Sequence, residues 1–209
     1  MIRIWGRNTS SNVQKAMWAV GELGLAHERI DIGGSFGKNN EPKYLAMNPN
    51  GLVPTLEEDD GFLLWESNSI VRYLAGKHDT SGALEPRDPK NRALASQWMD
   101  WQLSVLGPAI GPAFWGLIRT PEEKRDHAAI KASQEKTTKS MAMLDAQLGR
   151  TAFVAGPGFS YGDIPVGIMC YRFIQLVPNR PAMPNLDRWY AAISGRKAFQ
   201  DHVGSIKLV

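Results

Sequence analysis

The sequence predicts an α+β N-terminal half of order β-α-β-α-β-β-α, followed by an all-helical C-terminal half. Three observations carry this reading. Before about residue 80, short alternating apolar runs interleave with helix-period segments. After Pro89 no strand pattern competes with the helical one. Between them, Lys77 to Pro89 (KHDTSGALEPRDP) gathers Gly, Ser, two Pro and mixed charges, as a linker does. The organisation expected is a first domain over 1–80, a linker over 81–88 and a helical domain over 89–209.

The elements follow in order. Ile2 to Gly6 (IRIWG) alternates as a strand. Val13, Ala16, Met17, Val20 and Leu23 then share one helix face, with Ser11 and Gln14 spaced as a capping box and Gly24 as terminator. His27 to Ile32 alternates again, the loop GGSFGKNN follows, and Pro42 to Met47 predicts a short helix. VPTLEEDDGFLLW reads as two strands turned at Asp60-Gly61. Ser67 opens a helix whose buried face is Ile70, Val71, Leu74 and Ala75. A parallel crossover unit is thus combined with an antiparallel hairpin in one small sheet.

In the helical half, Asp88-Pro89 is an N-cap with proline at the first helical position. The long helix after it carries Trp98, Met99, Trp101, Leu103 and Leu106 before Pro108 and Pro112 disturb it. Thr120-Pro121-Glu122-Glu123 predicts the next helix start. Helices are also expected over Tyr161 to Gln175 and Asn185 to Ile193.

Composition narrows the function. The chain has 209 residues and a formal charge of +3, with 24 Lys and Arg dispersed among 21 Asp and Glu, so no nucleic-acid footprint is indicated. The single cysteine, Cys170, rules out a disulfide framework, and the four histidines have no metal-ligand spacing. No apolar run is long enough for a signal peptide or a membrane span. A metal-free protein of the reducing cytoplasm is expected.

Three local features of the first half suggest chemistry. Thr9-Ser10-Ser11-Asn12 packs hydroxyls and an amide where a strand gives way to a helix N-terminus, a place that favours an anion. Ser11 is engaged by the box with Gln14, which leaves Ser10 either as a plain turn residue or as a donor to a thiolate. Val53-Pro54 opens a strand, which suggests a special turn, a cis bond included, that offers the Val53 backbone to an extended peptide. Glu66-Ser67 stands at a strand-to-helix junction: either a capped helix with a neighbouring acid, or a grip on the ammonium and carboxylate of one ligand.

In combination, TSSNVQKAMWAVGELGL, NPNGLVPTL and WESNSIVRYLA, with Ser160-Tyr161-Gly162-Asp163 further on, resemble the glutathione transferase superfamily over nearly the whole chain. The resemblance implies a thioredoxin-like domain that binds glutathione as co-substrate, and a helical domain that shapes a pocket for a small hydrophobic electrophile. It places Ser10 at the position whose hydroxyl activates the thiol, four residues before Gln14, with Asn12 as second candidate. It assigns the Val53 backbone to the cysteinyl unit, Pro54 to the family's cis-proline, and Glu66 and Ser67 to the γ-glutamyl end. Lys38 and Asn39 are put forward for the glycyl carboxylate, because Leu52 stands where many relatives carry lysine. The lack of a cysteine at the helix start points to a bacterial, serine-type or disulfide-reductase-like class. Ser160 and Asp163 match the family's N-capping box, a folding element. A homodimer is implied, with no nucleic-acid or membrane partner. Two rivals stand beside conjugation: a glutathione-dependent disulfide reductase, and a non-catalytic binding protein on the same fold. Trp98, Met99, Trp101 and Trp115 line the second pocket or belong to the core, and Cys170 is read as a packing residue.

Overall fold

The computed structural model describes residues 1–209. The chain forms two compact units: Met1–Glu85 with Lys197–Lys207, and Pro86–Arg196 with the last two residues. The segment Lys197–Lys207, which the sequence reading placed with the helical half, therefore packs in the first unit.

In that unit the order is β1 (Ile2–Trp5), α1 (Ser11–Glu22), β2 (His27–Ile30), α2 (Pro42–Leu45), β3 (Thr55–Glu57), β4 (Leu63–Trp65) and α3 (Ser67–His78). The strands lie in the order β2-β1-β3-β4, with β1 parallel to β2 and antiparallel to β3, and β3 antiparallel to β4. This is the predicted β-α-β-α-β-β-α arrangement of a thioredoxin-like domain. Alternation along β1 explains its two faces. Ile2 and Ile4 are buried towards the packed pair α1 and α3, whose inward residues include Val13, Met17, Ile70 and Leu74. Arg3 points the other way, to Glu28 and Glu57, its register partners on β2 and β3. The β3–β4 turn closes with Gly61 N–H donating to Glu58 O at 3.0 Å, and its φ of 87° explains the glycine.

The C-terminal segment supplies α9 (Lys197–Phe199) and a π-turn over Gln200–Gly204. Phe199 meets the fully buried Trp18 of α1 edge to face, with ring centroids 5.0 Å apart. A Cβ on Gly21 would stand 2.8 Å from the Ala198 Cβ, so a bare backbone there permits the close approach.

The second unit is built from helices: α4 (Pro89–Trp101), α5 (Gly107–Phe114), α6 (His127–Leu148), α7 (Asp163–Leu176) and α8 (Pro184–Ser194). Asp88 caps α4, accepting from Asn91 N–H at 2.9 Å. Pro108 and Pro112 disturb the helix, as the sequence suggested, without ending it. The chain stays helical through π-turns at Gln102–Leu106 and Trp115–Arg119, on either side of α5. Ser133 of α6 repairs the ladder beside Pro112: its hydroxyl accepts from Ala113 N–H at 3.0 Å and donates to Ala109 O at 2.6 Å.

The start expected at Thr120-Pro121 is corrected. Only a short 3-10 turn forms there, over Glu122–Lys124: Thr120 Oγ1 donates back to Trp115 O at 3.0 Å, and the Arg125 guanidinium donates to the carbonyls of Thr120 and Leu117, which tie the segment to the preceding helix. The next helix begins at His127, capped by Asp126 accepting from Ala129 N–H at 2.9 Å. The predicted box before α7 forms: Asp163 accepts from the Ser160 N–H and hydroxyl, and also from Val154 N–H and the Trp189 indole. Burial raises the Asp163 carboxyl to about 6 against the pull of those donors. No helix is long and apolar enough to cross a membrane.

Candidate functional site

The sheet register brings the suggested residues to one edge of the first unit. Trp5, the last residue of β1, pairs with Thr55, the first of β3, and Thr55 pairs with Trp65, the last of β4. The β1–α1 turn, Val53-Pro54 and Glu66-Ser67 therefore all leave the sheet at the same end. A sheet of mixed direction is what allows segments so far apart in sequence to meet there.

The β1–α1 turn is held by Gly6 N–H donating to Ile30 O at 2.8 Å and Arg7 N–H to Ile32 O at 3.1 Å. A Cβ on Gly6 would lie 2.4 Å from Val13 Cγ2 and 3.2 Å from Val53 Cβ, so the turn runs tightly between α1 and Val53. The helix starts one residue earlier than the sequence suggested. Ser10 is the N-cap, in extended conformation, and its carbonyl accepts from Gln14 N–H at 2.9 Å. Ser11 is already helical, so Gln14 falls one place too late and the expected Ser11–Gln14 box does not form. The Ser10 hydroxyl makes no capping bond. Asn12 is exposed in the same first turn, whose N–H groups have no intrahelical partner.

Val53-Pro54 is cis, and the ladder begins only at Thr55, leaving the Val53 backbone outside it. A polar scaffold holds the preceding loop. Tyr44 Oη donates to Leu52 O at 2.7 Å and so accepts from Thr55 Oγ1 at 2.9 Å; Asn48 Nδ2 donates to the same Leu52 carbonyl at 2.8 Å. Burial raises the Tyr44 phenol above its ordinary range, against its hydrogen bonds, and keeps it a donor. The Leu52 side chain is exposed and supplies no charge.

Asn39 Nδ2 donates to Gly51 O at 2.7 Å, which ties its loop to the segment before Val53 but engages the amide. Lys38 is exposed, with φ of 65°. It lines a cleft of about 260 Å³ with Trp5, Tyr44 and Met47, and none of Ser10, Val53, Glu66 or Ser67 lines that cleft.

At the β4–α3 junction the cap position belongs to Glu66, with φ of 71°, a conformation that costs a non-glycine residue about 1 kcal/mol or more. The Ser67 cap read from sequence is corrected: Ser67 is the first helical residue and is buried, and its hydroxyl accepts from the Lys15 ammonium at 3.4 Å. Glu66 is exposed. Sequence reasoning missed Lys15, which is fully buried among the apolar residues of α1. Its only sequence signal was a lysine next to the helix's apolar stripe, a place where lysines are usually solvated.

One edge of the sheet thus presents two helix N-termini, a hydroxyl not used in capping, an exposed carboxylate and a backbone outside the ladder. The set matches an extended ligand with anionic and ammonium ends. In the second unit Trp98 and Trp101 meet edge to face, with centroids 5.0 Å apart, beside a separate cleft of about 280 Å³ that also takes in Met143 and Arg150. Met99 is core, whereas Trp115 is exposed.

Comparison with known proteins gives a consistent picture. The family model for the glutathione S-transferase N-terminal domain matches residues 9–77, and that for the C-terminal domain matches residues 106–197. Glutathione S-transferase GstB of Escherichia coli K12 is 43% identical over 199 residues, 95% of either chain. The theta class glutathione S-transferase of Xanthomonas axonopodis pv. citri, solved with glutathione bound, superposes with a TM-score of 0.94 at 44% identity, covering 100% of this chain and 99% of that one. Poplar glutathione transferase F1 superposes with a TM-score of 0.85 at 27% identity, covering 98% of this chain and 97% of that one.

Proposed function

The chain belongs to the glutathione transferase superfamily and is a glutathione transferase, and from that premise we propose how its own residues carry the reaction. Glutathione lies extended along the shared sheet edge. The Val53 backbone pairs with its cysteinyl unit, beside Pro54. Glu66 takes the γ-glutamyl ammonium, while Ser67 and the α3 N-terminus take the neighbouring carboxylate. Lys38 and Asn39 serve the glycyl carboxylate, a reading supported by the Asn39 Nδ2 bond to Gly51 O, which ties their loop to the segment before Val53.

Ser10 donates its hydroxyl proton to the sulfur, and the α1 N-terminus adds positive potential. A free thiol of pKa about 8.5 is only a few per cent ionised at neutral pH. Lowering it by about two units, worth roughly 2.7 kcal/mol, makes it mostly thiolate. The thiolate then forms a bond to the electrophilic carbon of a small hydrophobic substrate, and the displaced pair leaves with the leaving group or takes up a proton. We place this enzyme in the cytoplasm, a reading supported by a lone, buried cysteine, and take its role as a detoxifying homodimer from the family resemblance.

One observation carries the proposal: the Ser10 hydroxyl, free of capping duty, stands at the edge shared with Val53 and Glu66-Ser67. Asn12, exposed one turn-step on, supports a second reading in which the same thiolate attacks a glutathionyl disulfide. The test is glutathione titration followed by thiolate ultraviolet absorbance, in the wild type and in Ser10→Ala. The thiolate signal is expected in the wild type and lost in the variant, with conjugation falling by about a hundredfold. Glutathione bound without thiolate in the wild type refutes activation. A signal kept by Ser10→Ala and lost by Asn12→Ala transfers the donor role to Asn12.

A further inference from the structure

Lys15 lies in the first turns of α1 with no exposed surface, flanked by Val13, Ala16 and Met17. Desolvating an ammonium costs several kcal/mol, so a lysine at this depth is held by polar partners. One of them is Ser67 Oγ, at 3.4 Å across the packed α1–α3 pair. An ammonium has three protons to give and no lone pair with which to accept. Ser67 Oγ must therefore accept on that side, and its own proton is turned elsewhere. Ser67 is the first residue of α3, where the backbone N–H groups also point away from the helix.

We propose that Lys15 is a positioning residue for glutathione, which sets the hydrogen-bond polarity of Ser67 and commits that hydroxyl to donate to the γ-glutamyl α-carboxylate. The inference rests on the assignment of Ser67 to that carboxylate made above. Without Lys15, the hydroxyl is free to turn inward and present lone pairs to an anion, which repels it. With Lys15, hydroxyl and helix terminus offer only donors on the ligand side. The buried cation also adds positive potential where little water screens it. Lys15 touches no ligand atom in this arrangement.

A lysine that merely ties α1 to α3 would on removal loosen the fold and weaken every ligand alike. A lysine that sets polarity affects one ligand group. The deciding measurement is calorimetric binding of glutathione and of an analogue carrying hydrogen in place of the γ-glutamyl α-carboxylate. It is made on the wild type, Lys15→Met and Lys15→Gln, each first checked by thermal melting. The wild type should prefer glutathione by about thirty-fold, the scale of hydrogen bonds to a charged group. In Lys15→Met the preference should fall to about three-fold or less, with analogue binding unchanged. The KM for glutathione should rise accordingly, with kcat at saturation within about twofold of wild type.

Lys15→Gln keeps a polar tie to Ser67 but offers an amide oxygen towards which the hydroxyl can turn, so the preference should fall there as well. This variant decides the matter if Lys15→Met does not fold. An undiminished preference in a folded variant, or equal weakening of both ligands, overturns the proposal. A wild type that binds both ligands equally overturns instead the assignment of Ser67 on which it rests.

Discussion

Cys170 lies fully buried on α7, and burial pushes its thiol far above the ordinary cysteine range. A thiol held neutral in apolar surroundings is neither nucleophile nor metal ligand, so the sulfur chemistry falls to the bound co-substrate. A disulfide reagent should therefore label the native protein at least about a hundredfold more slowly than a free thiol, and label it fully in denaturant. Fast stoichiometric labelling under native conditions would contradict this. The role of Cys170 was readable from its apolar neighbours in the chain. That of Lys15 was not, because burial of a charged side chain depends on a partner fifty-two positions away. Ser10 lay between: its freedom from capping was read from the chain on the ground that Ser11 was the cap, whereas the structure makes Ser10 itself the cap residue and still leaves its hydroxyl out of the capping bonds.

Among the elements, the tightest fit is the turn that joins β1 to α1. Gly6 has φ of 155°, and any side chain there would meet Val13 Cγ2 at 2.4 Å and press on Val53. Gly6→Ala should thus destabilise the fold by about 2 kcal/mol or more and, on the proposed role of Ser10, weaken glutathione binding as well, since the same turn positions that residue. Denaturant melts and glutathione titration of the variant check both effects; wild-type values in either would show that the turn has slack. The strands, the hairpin and the capped helix α4 were legible because periodicity and turn residues act locally. The start of α6 was not. Thr120, Pro121 and Glu122 carry the chemistry of a helix start, yet Arg125 draws the segment back onto the carbonyls of the previous helix. Two good local signals competed, and the non-adjacent hydrogen bonds decided between Thr120 and Asp126. The same holds for Pro112, where Ser133, distant in sequence, supplies the repair.

At the scale of the whole molecule, the first unit is built from both ends of the chain. His202, in the returning segment, faces His27 with ring centroids 6.1 Å apart. Burial lowers its pKa, with the charges of His27, Lys197 and Arg29 acting in the same sense and Asp201 opposing. The unfolded chain takes up this proton near pH 6.5, the folded chain only at lower pH, so between those values the unfolded state binds more protons. Stability should therefore fall as pH drops below about 6.5, and His202→Gln should flatten that part of the curve. Melting midpoints between about pH 7.5 and 5.5 test this; parallel curves for the two proteins would exclude His202 as the source. The discontinuous unit also sets the order of events during synthesis. When Glu85 leaves the ribosome, the sheet and three helices are complete, but the outer side of Trp18 still lacks Phe199. All of 86–196 must be translated before that partner exists. The nascent thioredoxin-like half waits, unfinished, for the end of its own message.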